Sequence, residues 1–213
     1  MNPRLLETFD HVPVSKHLGL KLVALDESTC TVVLDPKVEL TQGYGVGIRS
    51  QVTFSLIRPD SGRAAPPPAN EGKTHLTRYA PSVNRRLLDT FDHVPVSKHL
   101  GLKLVALDAT TCTVVLDPKP ELTQGYGVVQ GGVISALADA AGVCCFLPPA
   151  LDAANVTSIE FKINFLRPVL PENGRIEARS RVVQRGQKVG LAEVEVAQAG
   201  RLVAKGLFTY LLY

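Results

Sequence analysis

The chain has 213 residues, 45% of them hydrophobic and 20% charged, with a formal net charge of +3. This is the balance of a soluble globular protein; it offers neither the Lys/Arg run that tracks a nucleic-acid backbone nor the roughly 18 uninterrupted apolar residues of a membrane span. The opening MNPRLLETFD has no apolar signal core, and Cys30, Cys112, Cys144 and Cys145 form neither a CxxC metal pair nor a disulfide framework, so a cytoplasmic chain with reduced thiols is expected.

Residues 4–46 and 86–128 are the same text at an offset of 82, differing only at Glu7/Asp89, Glu27/Ala109, Ser28/Thr110 and Val38/Pro120. A solenoid would show several diverged units, so one long near-perfect copy reads as a duplication. After Val46 the first copy leaves register and continues GIRSQVTFSLIRPDSGR. Its alternating Val52, Phe54 and Leu56, with Arg58-Pro59, suggest a weak match to the strand ending at Arg167-Pro168, at an offset of 109. Residues 60–84 are rich in proline, glycine and alanine without apolar period, as in a linker. The expected organisation is a truncated partial copy over 1–59, a linker over 60–84 and one complete domain over 85–213.

Within the complete unit, Leu87, Leu88, Phe91 and Val94 have helical spacing, closed by Pro95. Residues 100–118 alternate about a DATT turn and predict a hairpin. A loop with Pro118, Pro120, Gly125 and Gly127 leads to Gly131-Gly132 and a helix over 133–146 whose one charged residue is Asp139. A helix apolar on nearly all sides is one wrapped by the rest of the protein. Residues 158–168 alternate, and GRIEARSRVVQRG, QKVGLAEVEVAQAG and RLVAKGLFTYLLY follow as three strands joined at glycine turns. The class is α+β, a curved antiparallel sheet around a single long helix.

Two features of this unit carry chemistry. A carboxylate in an apolar helix is desolvated, so Asp139 should be hydrogen-bonded, placed at a cavity or partly protonated; a solvent-facing or locally tied aspartate is the bland alternative. Gly131 and Gly132 open the helix, where free N–H groups carry partial positive charge and can meet a developing oxyanion, or simply form a turn between helix and sheet.

In HLGLKLVALD, QGGVISALADAAG, FLRPV and GRLVAKGLFTYLL, in that order over about residues 86–213, the chain resembles the hotdog-fold acyl-CoA thioesterases of the phenylacetate-degradation (PaaI-like) type. The resemblance implies hydrolysis of an acyl-CoA to carboxylate and free coenzyme A, with no metal and no cofactor beyond the coenzyme A of the substrate. It implies Asp139 as general base or nucleophile and the Gly131 N–H as oxyanion donor, with Gly132 beside it. Gln130 stands where many relatives have His; it can orient a carbonyl but cannot titrate near neutrality. Gln124 falls at a polar position near the reacting carbonyl, and Ser158 where a hydroxyl positions the hydrolytic water. Arg167, Arg185, Gln187 and Lys188 could pair with the coenzyme A phosphates. The partners implied are the acyl-CoA and a second copy of the chain, as a homodimer or dimer of dimers, with neither nucleic acid nor membrane. An acyl-CoA-binding protein without hydrolysis is the alternative. A hotdog hydratase is disfavoured, since no Asp/His pair flanks the helix. The histidine pairs His11/His17 and His93/His99 read as local structure. The first copy lacks the helix its strands would wrap, so it is expected to be disordered, docked on the complete unit, or exchanged with its twin, and to be dispensable for activity.

Overall fold

The computed structural model describes residues 11–25, 29–34, 50–55, 91–147 and 156–213. Residues 60–84 and the segment 35–49 lie outside these. In the first copy, helix α1 (Pro13–Leu18) precedes strands β1 (Leu20–Leu25), β2 (Thr29–Leu34) and β3 (Ser50–Ser55). In the second, helix α2 (Pro95–Leu100) precedes β4 (Leu102–Leu107) and β5 (Thr111–Leu116). The long helix α3 (Gly131–Cys144) follows, then β6 (Val156–Phe165), β7 (Ile176–Arg185), β8 (Val189–Gln198) and β9 (Arg201–Leu212).

Residues 91–93 are helical and the chain leaves the helix at Val94, so the entry helix ends before Pro95 as expected; Pro95 in turn opens α2. At the first helical position the missing N–H has no acceptor to lose and the fixed φ suits the helix. The extended Val94 before it (φ −62°, ψ 121°) turns the chain, and Gly101 at φ 78° ends the helix in the left-handed region. The identical text gives the identical device at Val12, Pro13 and Gly19 (φ 70°).

The complete unit is a six-stranded antiparallel sheet in the order β4-β5-β7-β8-β9-β6, packed against α3. This is the hotdog arrangement expected. The inward positions of the alternating strands supply Ile176 and Ala178, Ala192, Val194 and Val196, then Ala204, Phe208 and Tyr210, all buried. Against them α3 buries Val133, Ile134, Leu137, Ala138 and Ala141. Small residues on both sides keep helix and sheet close enough for the Ser180 hydroxyl on β7 to donate to the Ala141 carbonyl at 2.7 Å. Among the described residues no helix is long and apolar enough to cross a membrane.

The first copy forms its own sheet, β1-β2-β3, and its register revises the expected match for residues 50–55. β3 pairs β2 from Leu34↔Ser50 to Thr29↔Ser55, as the first half of β7 pairs β5 from Leu116↔Ile176 to Thr111↔Arg181. Ser50–Ser55 therefore stands where β7 begins, and not where the strand before Arg167-Pro168 lies. The next available strand takes the open edge of the hairpin, whose backbone groups need partners. Among the described residues no counterpart of α3 packs on this sheet: Leu104 in the complete unit is 4% exposed, while its twin Leu22 stays partly exposed.

Burial predicts an asymmetry between the copies. Leu137→Ala, at the centre of the core, should lower stability by roughly 2–5 kcal/mol in urea unfolding. Leu22→Ala, at a partly exposed position, should change it by less than about 1 kcal/mol.

Candidate active site

Two clusters lie at different levels of α3. The first surrounds Asp139. Its Oδ1 accepts hydrogen bonds from the Ser158 hydroxyl at 2.8 Å and the Tyr210 hydroxyl at 3.1 Å. Ser158 and Tyr210 are direct cross-strand partners on β6 and β9, so their side chains share the face that meets the helix. A bulge follows Ser158, between it and Glu160, and re-aims the strand just beyond the contact. Gly142, one turn after Asp139, leaves the space that the Tyr210 hydroxyl fills; a Cβ there would collide with it.

Burial pushes the Asp139 carboxyl above its ordinary value, and the hydrogen bonds from Ser158 and Tyr210 pull back only part of that. Burial also holds the Tyr210 phenol protonated, reinforced by the adjacent carboxylate, so it acts as a donor. The nearby thiols are no rivals as nucleophiles. Cys144 and Cys145 are buried, and desolvation pushes Cys145 up to about 11.

The second cluster is the start of α3. Gln130 is its N-cap, and its Oε1 accepts from the Val133 N–H at 3.1 Å. The side chain thereby folds over Gly132, where a Cβ would sit 2.7 Å from Oε1. Gln130 therefore satisfies one of the helix's free donors; its expected carbonyl-orienting role falls to the amide nitrogen alone. Gly131 and Gly132 are the first two helical residues, so their N–H groups have no intrahelical acceptor. The ring of Phe165 lies against Gly131, 3.1 Å from where a Cβ would stand. Gly131, Ile134, Phe165 and Val169 line an apolar hollow of about 420 Å³, with Arg167 among its lining residues.

Gln124 belongs to this end of the helix. Its backbone closes the turn with Gly127 and Val128, its Oε1 accepts weakly from the Tyr126 N–H at 3.4 Å, and the adjacent Thr123 bridges Val129. The Arg167 guanidinium donates to the Leu202 carbonyl at 2.6 Å. Arg185 lies over the Phe146 ring and donates to the Phe146 carbonyl at 3.0 Å, near the C-terminal end of α3. Gln187 and Lys188 line a separate hollow of about 540 Å³ in the turn between β7 and β8. That turn leads to Gly190, which pairs with Tyr210. The basic turn thus stands at the Asp139 level, and Arg167 with the glycines.

Tyr210, Phe165 and Gly142 are the site residues that sequence reasoning missed. One signal was present: Tyr210 follows Phe208 on the inward side of an alternating strand, and a buried tyrosine hydroxyl requires a partner. Among the described residues no His/Cys/Asp/Glu cluster is arranged to hold a metal ion.

Residues 126–205 match the profile of the thioesterase superfamily. A candidate esterase of Saccharolobus solfataricus is 32% identical over 113 residues, 53% of this chain and 79% of that protein. Among solved structures, a variant of the phenylacetic acid degradation protein PaaI from Thermus thermophilus is 26% identical at a TM-score of 0.50, covering 55% of this chain and 97% of that one. The PaaI protein of E. coli, at 18% identity and a TM-score of 0.56, shares the fold over 64% of this chain and 96% of its own.

The raised Asp139 carboxyl makes stability depend on pH with a definite sign. Between the unfolded value, ~3.9, and the higher folded one, the native chain binds more protons, so this group's contribution falls as pH rises through the folded value. Asp139→Asn keeps an oxygen for Ser158 and Tyr210 but has no charge to bury. Its melting midpoint should exceed the parent's near pH ~8, and the advantage should vanish near pH ~3. A difference that is the same at both pH values would contradict the assignment.

Proposed function

The chain belongs to the thioesterase superfamily, and from that we propose that it hydrolyses an acyl-CoA thioester to a carboxylate and free coenzyme A, at a site shared between two chains. One observation carries the reading: Gly131 and Asp139 are eight residues apart on one helix, about 12 Å at 1.5 Å per residue. An oxyanion donor must stand about 3 Å from the carbonyl oxygen, and an attacking water about 3–3.5 Å from its carbon. The two groups of a single helix cannot serve one carbonyl. Two antiparallel copies of α3 would bring each Gly131 to the other's Asp139.

The exposed edge supports that assembly. β6 ends the sheet with one side of its backbone unpaired, and Phe161 and Phe165 along it are about half exposed. A ten-residue edge strand that exposes the Phe161 ring between Glu160 and Lys162 still offers its backbone for pairing with a second chain. Joining β6 to β6 would extend the sheet and set the two α3 helices side by side.

In the proposed step Oδ1 of Asp139 is fixed by Ser158 and Tyr210, leaving Oδ2 to take a proton from water. The water oxygen bonds to the thioester carbon, and the oxyanion is held by the partner chain's N–H at the same helix start. The C–S bond then breaks, and the departing thiolate recovers the proton from Asp139. A carboxylate raised by burial is a stronger base than a solvated one, which suits general-base chemistry near neutrality. Two bonded donors on one oxygen favour this role over direct attack by the carboxylate. The apolar hollow beside Gly131 would take the acyl group, and Arg167, Arg185, Gln187 and Lys188 are the groups available for the coenzyme A phosphates.

Thiol release over a panel of acyl-CoA substrates tests the reading. The parent chain should turn over at least one of them, and Asp139→Ala should lose roughly 10²–10⁴-fold in kcat. Acyl-CoA binding with no thiol release above the Asp139→Ala level would make the protein a binder instead.

A further inference from the structure

The first copy does not lie free of the second. Val12 and Leu18 pack against the complete unit's core, α1 meets the short 3-10 turn Pro120–Leu122, and Val12 stands 3.9 Å from where a Cβ of Gly125 would be. At the centre of this contact the His17 and His99 rings stack, centroids 4.3 Å apart and planes 18° from parallel. These two histidines are one position of the repeat, at the offset of 82. A residue that meets its own equivalent marks the axis of an isologous two-fold contact, in which one patch binds itself.

Both halves of that contact exist within each complete unit. Residues 12–25 and 94–107 are identical in sequence, and α1 and α2 share their start, length and left-handed glycine end. What α1 touches is the 120–125 loop of the complete unit. If a second chain presented its α2 to that loop, the first chain's α2 would reach the second's loop in return, with His99 against His99 on the axis. The patch is therefore self-complementary. It lies beside α2, which leads into β4, the edge opposite β6 in the sheet order.

We infer that the N-terminal copy acts as a stand-in for a second subunit. It occupies in cis a surface through which complete units would otherwise pair about a two-fold axis, and so blocks that pairing. The occupant on either side has the same sequence, so tethering decides the competition. A segment joined through a linker is present at an effective concentration of order mM, far above that of a second chain in solution. The β6 edge stays open, so the block removes one mode of assembly and not the other. This inference is independent of the hydrolase reading, since assembly is measured without substrate.

The full chain carries the test, with substitutions placed in the first copy so that the complete unit is untouched. His17→Glu with Leu18→Asp should undock α1, and the solution mass from light scattering should double relative to the parent chain. Adding His99→Glu, or separately the exposed loop change Gly125→Glu, should return the mass to the parent value. Either an unchanged mass in the undocked chain, or a doubling that survives both additions, overturns the inference.

Discussion

The pair of hydrogen bonds that Ser158 and Tyr210 donate to one oxygen of Asp139 is the constraint around which the unit is built. A carboxylate cannot enter an apolar helix–sheet interface without donors, and here the donors come from two strands at once. The β6–β9 register must place Ser158 opposite Tyr210. Gly142 must lack a side chain for the phenol to reach the helix. Shifting β6 by one residue would send the Ser158 hydroxyl to the opposite face, and shifting β9 would do the same to Tyr210; either slip takes one of the two donors from the buried carboxylate.

The same helix separates the two groups that the proposed hydrolysis would use. Its first residues offer N–H groups beside an apolar hollow, and its middle holds the Asp139 carboxyl about 12 Å away. The sheet is closed at neither edge, and its two edges have different fates. Beside β4, the α2 face is covered by a second copy of its own sequence, the His17–His99 stack at the centre. At β6 the strand faces outward with Phe161 and Phe165 half exposed. In the proposed assembly one second chain would complete both the site and the edge.

Much of this was legible in the residues because the patterns were local. The alternation of VGLAEVEVAQ and RLVAKGLFTYLL matches β8 and β9, and the lone aspartate in GGVISALADAAG marked the helix that the sheet wraps. What stayed hidden depended on distant partners. Nothing near Tyr210 in sequence points to Asp139, 71 residues away. Gln130 reads as a substrate group from its position before two glycines; that its side-chain oxygen also caps the helix is not announced by the local sequence. Arg185 reads as a free cation in a turn, yet Phe146 offered both a carbonyl and a ring. The place of Ser50–Ser55 followed from which hairpin edge was open, a property of the sheet that its three apolar residues do not encode.

The central claim is that Gly131 of one chain and Asp139 of another act on one carbonyl, and complementation tests it directly. Gly131→Pro removes the N–H at a helix position where proline is tolerated, and Asp139→Ala removes the base. Each variant alone should release thiol at least roughly 100-fold more slowly than the parent chain. A mixed assembly of the two, formed by co-expression, contains one site with both groups intact and should recover activity in proportion to the mixed species. Thiol release that stays at the single-variant level in purified mixed assemblies would contradict the account.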